Sequence, residues 1–349
     1  STSFPYYFNI SEDKELTFSP TINYGGGVDS SQRFNFDYNQ IISGGKLRTN
    51  LTVDSTFEDN NSDKWIKEAS IINHYHQNIN ENYKLEIDSA LQTSKNYIQQ
   101  INPNDELSYS SSLTSSINIS GYNLNKIDDK LEINFKAYQS NQNSEDNKTI
   151  PTILPYISYY SGERIYNKNK YKNTYEFYNI FRDSPTTIHA KSQRKISIKT
   201  IADKEEVIYG TKVSYGLDFY NQFFNVEDKE INNKVQSSNY LRSFPIFGLN
   251  LETPFRFKNT KNDFIYTPKL SFVISPGMSN SDRISNEDSS VNTYGIENNQ
   301  KRNRFTGSDK LDNSKRINLS FNLNNDNFDA NILQSYEFTN NSNYHYSQG

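Results

Sequence analysis

The stretch ELTFSPTINYGGG, residues 15–27, carries the pattern on which the fold turns. Leu16, Phe18, Ile22 and Tyr24 fall on every second position, with Thr17, Ser19, Thr21 and Asn23 between them. A period of two belongs to a strand with one apolar and one polar face, and the glycines mark a turn at its end. Pro20 stands on the apolar face. Proline has no N–H to give a neighbouring strand and belongs at edges, strand starts or bulges. Its position inside a well-patterned strand asks for a reason.

The same alternation extends along the chain. Phe34, Phe36 and Tyr38 alternate with Asn35, Asp37 and Asn39, and Leu131, Ile133 and Phe135 with Glu132, Asn134 and Lys136. Val213, Tyr215, Leu217 and Phe219 keep the period, as do Leu270, Phe272 and Ile274, and then Ile317, Leu319, Phe321 and Leu323. No segment carries a helical period. Turn signals such as SEDK at 11–14, SGG at 43–45, EDNNSD at 58–63 and NQNSEDNK at 141–148 separate the runs. About sixteen strands fit, many longer than the usual 5–6 residues.

Composition narrows the architecture. Of 349 residues only 33% are hydrophobic, yet 26 are Tyr and 22 are Phe. A compact soluble core of this size would be hard to fill, since globular chains carry roughly 45–50% apolar residues including glycine. Low hydrophobicity also favours disorder, but the regular alternation and a net charge of only −4 argue against it. Long antiparallel strands with one apolar face suit either a soluble sandwich or solenoid, or a transmembrane barrel with a polar lumen. The poor aliphatic content, the aromatic wealth and the strand length favour the barrel.

Several function classes lack support. There are no cysteines, hence no disulfides or thiolate metal sites. The 41 acidic and 37 basic residues are mixed, without the basic stripe of a nucleic-acid binder. His74 and His76 share a strand face, but no third ligand lies nearby in sequence, and no metal site is expected. No Gly-x-Ser-x-Gly stretch or phosphate loop occurs, so neither catalysis nor a cofactor is expected. No apolar run approaches the roughly 18 residues of a transmembrane helix.

Several stretches, in order, resemble one family. FPYYFNISEDKELTFSPTINYGGG (4–27), LPYISYY (154–160), LRSFPIFGLNLETPFRF (241–257) and YTPKLSFVISPG (266–277) are similar to barrel strands of the lipopolysaccharide-assembly outer-membrane protein family, LptD. The most specific piece is NEDSS (286–290) followed by NRFTGSDKLDNSKRINLSFNL (303–323), which resembles the family's Asn-Arg-Phe-Ser-Gly-x-Asp-Arg loop and next strand. LQSYEF (333–338) is similar to its Gly-Gln-x-Tyr strand. Thr306 and Lys310 depart from the family's Ser and Arg, which bears on local turn geometry.

The resemblance implies an antiparallel up-and-down barrel of about 26 strands in the bacterial outer membrane. This chain would be its first two-thirds, with a periplasmic jelly-roll upstream and more strands after Gly349. It also implies a translocon that takes lipopolysaccharide from periplasmic bridge proteins, encloses a plug lipoprotein and releases its substrate through a lateral gate. Pro5 and Pro20 match the two prolines of that gate. Arg302, Arg304, Lys310 and Arg316 belong to a basic cluster and are candidate contacts for lipopolysaccharide phosphates, acidic core sugars or the plug. Asn303, Phe305, Gly307 and Asp309 are the candidate ordered-loop motif, within an expected ordered loop over 277–314. The rival readings are a porin or receptor barrel that passes small solutes, and a secreted β-solenoid adhesin.

Overall fold

A computed structural model describes residues 1–23, 31–58, 64–141, 147–258, 264–276, 280–290, 296–325 and 327–338. Tyr24, the glycine run 25–27, most of the turns at 58–63 and 141–148, and His345 lie outside the described residues. The chain divides into two compact units, Ser1–Ser158 with Tyr178–Ser184, and Tyr159–Phe177 with Pro185–Gly349.

The first unit is an antiparallel meander. Its strands are β1 (Thr2–Ser3), β2 (Tyr6–Ser11), β3 (Lys14–Asn23), β4 (Ser31–Ile42), β5 (Gly45–Glu58), β6 (Lys64–Asn78), β7 (Tyr83–Gln92), β8 (Ser112–Tyr122) and β9 (Lys130–Ser140). Two further strands, β10 (Thr152–Tyr166) and β11 (Asn169–Phe181), contribute residues to both units. The second unit continues with β12 (Ser192–Ile208), β13 (Thr211–Ile231), β14 (Lys234–Glu252), β15 (Phe255–Phe257), β16 (Phe264–Ile274), β17 (Lys315–Asn325) and β18 (Phe328–Glu337). Of these strands, β1 and β15 are fragments of two and three residues, which the period-two pattern is too long to detect.

Register turns the alternation into rows. Phe18 lies opposite Phe36, Phe36 opposite Leu51, Leu51 opposite Ile71, and Ile71 opposite Leu91. In the second unit Leu249 faces Phe272, Phe272 faces Ile317, and Ile317 faces Tyr336. Such cross-strand apolar pairs are the stabilising unit of a sheet. The Phe18 and Phe36 rings stack with centroids 4.9 Å apart.

The burial of the two faces is the reverse of a soluble protein's. On the apolar face Leu217 and Leu319 are each 37% exposed, Ile274 52% and Leu241 74%. On the polar face Lys195 is 0% exposed, and Arg316 and Asn318 are each 1%. The polar face is covered from within the chain. In the first unit the β7–β8 connection forms the one-turn helix α1 (Tyr97–Ile101), and Ile98 packs with Ala90 and Leu113. In the second, the β16–β17 connection, with the one-turn helix α2 (Ile296–Gln300), sets Leu311 among Tyr220, Phe244, Ile246 and Val273. The sequence gives no helical period, yet these two helices are present; five residues each are too few to display one. Among the described residues no helix is long and apolar enough to cross a membrane.

Candidate functional site

The residues singled out in the sequence fall on two features: the first hairpin and the β16–β17 connection. In the first hairpin β1 pairs with β3 through Thr2 and Ile22, and β2 pairs with β3 from Tyr6 and Phe18 onward. The register is the same on both sides of Pro5, so the break between β1 and β2 contains no bulge. The Phe4 N–H donates to the Pro20 carbonyl at 3.0 Å. In an antiparallel ladder a residue's N–H and C=O face the same neighbour. The donor that Pro20 lacks therefore faces the first strand, and the first hairpin loses a bond. Pro5, one residue beyond Phe4, faces away from β3, so its missing donor lies on the outer side of the first strand. The β3–β4 ladder runs without a shift from Lys14 and Gln40 to Asn23 and Ser31, with Pro20 opposite Phe34.

The β16–β17 connection is held to the polar face by charge-assisted bonds. Lys195 Nζ, fully buried on β12, meets Asp288 Oδ2 at 2.6 Å, Asp309 Oδ1 at 3.0 Å and Glu176 Oε1 at 2.6 Å, and donates to Ser308 Oγ at 2.9 Å. Burial pushes the Asp288 carboxyl up, but Lys195 outweighs this and holds it below its ordinary range. Arg242 Nη2 on β14 donates to Gln222 Oε1 at 2.6 Å and to the Ser308 carbonyl at 2.7 Å. The Asp309 carboxylate accepts the Glu287 and Asp288 N–H groups at 2.8 and 3.0 Å. Asp288 Oδ1 in turn accepts from the Ser308 and Asp309 N–H groups at 3.0 and 2.8 Å. These bonds offset much of the cost of burying polar groups on that face.

The sequence-derived residues take different places. Arg304 and Arg316 have side chains with no exposure. Arg304 makes a two-pronged contact with Asp312 at 2.6 and 3.0 Å and reaches Glu337 at 3.1 Å, while Arg316 Nη1 meets Asp312 at 3.0 Å. Arg302 bridges Asp203 and Asp218, at 2.6 and 2.8 Å. The Lys310 backbone N–H bonds Ser289 Oγ at 2.9 Å, and its residue is half-buried. Asn303 Oδ1 accepts from the Phe305 and Asp312 N–H groups, Phe305 is buried, and Gly307 has φ +67°. His74 Nδ1 lies 2.9 Å from Asp88 Oδ1.

Sequence reasoning missed Lys195, Arg242 and a pair of glycines. Gly216 and Gly248 face each other across β13 and β14. A Cβ on Gly216 would lie 2.2 Å from Arg302 Nη1, and one on Gly248 would lie 2.9 Å from Arg302 Cδ. The two form a slot in which the arginine lies flat. Strand alternation marks such positions only as polar-facing; their partners on the β16–β17 connection lie about 40 to 115 residues away, and only the paired register exposes the slot.

Compared with known families, the chain matches the model of LptD, LPS transport system D, over residues 68–348. The match covers the β16–β17 connection and leaves the first hairpin outside. No curated protein matches the chain.

Proposed function

This chain belongs to the LptD family, LPS transport system D, and from that membership we propose that the full protein inserts lipopolysaccharide into the outer leaflet through a lateral gate. The family is an outer-membrane β-barrel and a transport component rather than a known enzyme family. In this reading periplasmic bridge proteins deliver lipopolysaccharide, a plug lipoprotein stands against the polar face, and the seam lies beside the first strand. The step is passive here, with energy supplied by the rest of the transport chain.

The observation that carries the reading is the reversed burial: apolar rows outward, charged and amide side chains inward. Exposed Leu217, Leu241 and Leu319 suit lipid, whereas a soluble fold would bury them. Pro5 and Pro20 supply the gate by removing donors from both sides of the first strand. Arg304 and Arg316 are taken up by Asp312 and Glu337, so their part is to fix the loop. Arg302 latches the loop to β13. Lys310 carries no ion pair among the described residues and is, of these four, the cation left for an acidic sugar, a phosphate or the plug.

Depletion of the full-length protein in living cells tests the reading. Newly made lipopolysaccharide should stop reaching the cell surface and accumulate behind the outer membrane. Unchanged surface lipopolysaccharide, with slowed uptake of small solutes, would support the porin or receptor reading instead.

A further inference from the structure

The β7–β8 connection leaves a cavity of about 380 Å³ between α1 and the polar face of β4, β5 and β6. Asn35, Asn50 and Asn102 line it with amides, Arg33 and Arg48 with guanidinium groups, and Ile98 and Ile101 form an apolar patch. The volume falls in the lower part of the roughly 300–1,000 Å³ range of small-ligand sites.

The charges decide the class of ligand. Arg33 is paired with Asp54 at 3.0 Å, Arg48 with Asp37 at 3.3 Å, and His74 with Asp88 at 2.9 Å. Asp105 adds another carboxylate to the wall. Every cation is already offset, so a phosphate finds no net positive field. A hydroxylic ligand suits the site better, because each hydroxyl both donates and accepts and so matches the amides and the Asp105 carboxylate. The isoleucines can lie against the C–H face of a sugar ring.

We propose that this cavity is a binding subsite for an uncharged sugar residue, of the kind carried on the saccharide of the transported lipid. The assignment of that source rests on the transport reading. The test is saturation-transfer NMR on the full-length protein with its plug in detergent, using methyl glucoside and methyl mannoside as probes and inorganic phosphate as competitor. Asn102→Trp, on the exposed cover, should fill the cavity without touching the strands; Asn50→Leu removes an amide from its floor. Wild-type protein should transfer saturation to the ring protons of at least one probe, each variant should bind that probe at least tenfold more weakly, and equimolar phosphate should not displace it. No transfer to either probe, unchanged affinity in both variants, or displacement by phosphate would overturn the proposal. If depletion blocks surface lipopolysaccharide while the sugars fail to bind, only the subsite falls. If the sugars bind as expected but depletion leaves surface lipopolysaccharide unchanged, the transport reading falls and the sugar site stands.

Discussion

Gly307 is the residue at which the covering loop tolerates least. Its φ of +67° lies in the left-handed region, and a Cβ there would sit 2.4 Å from the Asp288 carbonyl oxygen. The left-handed conformation alone costs an L-residue roughly 1–2 kcal/mol, and the contact adds to it. Gly307→Ala should therefore loosen the loop that Lys195, Asp288 and Asp309 pin to the strands. Limited proteolysis of the folded barrel would check this: the variant should be cleaved within the β16–β17 connection under conditions that leave the wild-type protein intact. The motif Asn303–Phe305–Gly307–Asp309 was expected as part of an ordered loop from the family resemblance. Its dependence on Asp288 and Lys195 was not, because hydrogen bonding across 21 and 114 residues leaves no local pattern.

For the strands, alternation was legible throughout, since side chains of successive residues must point to opposite faces. Which face turns outward is not contained in the period, and the shortage of aliphatic residues had to stand in for it. The exposed rows through Leu217, Leu319 and Ile274 answer that question. Leu319→Arg should cost roughly 2–4 kcal/mol near the bilayer midplane, and less toward the interfaces; reversible urea unfolding in liposomes is the readout. The same change at exposed Lys301, on the covering loop, should cost far less. Pro20 acts through its strand. Its missing donor faces the first strand, and that of Pro5 faces the strand's other side, so neither weakens the β3–β4 ladder. Each restored bond contributes about 0.5–1.5 kcal/mol in water, and more where lipid is the alternative. Pro5→Ala with Pro20→Ala should leave assembly with the plug intact, slow lipopolysaccharide delivery, and make cells more permeable to large antibiotics. Wild-type delivery in the double variant would reduce the prolines to architecture.

On the proposed function, the whole molecule meets two demands that normally conflict. A lipid-facing wall must keep every backbone group paired, while a gate for a lipid with a sugar headgroup must part somewhere. The two missing proline donors both border the first strand, while the pinned loop lies on the β16–β17 connection. In the proposed function lipopolysaccharide passes the first strand. Tyr7 lies on its polar side, with its hydroxyl 3.0 Å from Glu15 Oε2, and is well exposed. The most direct measurement replaces Tyr7 with a photo-crosslinking amino acid in the full-length protein in living cells and probes for lipopolysaccharide adducts. An adduct should form at position 7 and disappear when delivery of new lipopolysaccharide is stopped. No adduct at that position, or one whose yield is indifferent to delivery, would contradict the proposed passage.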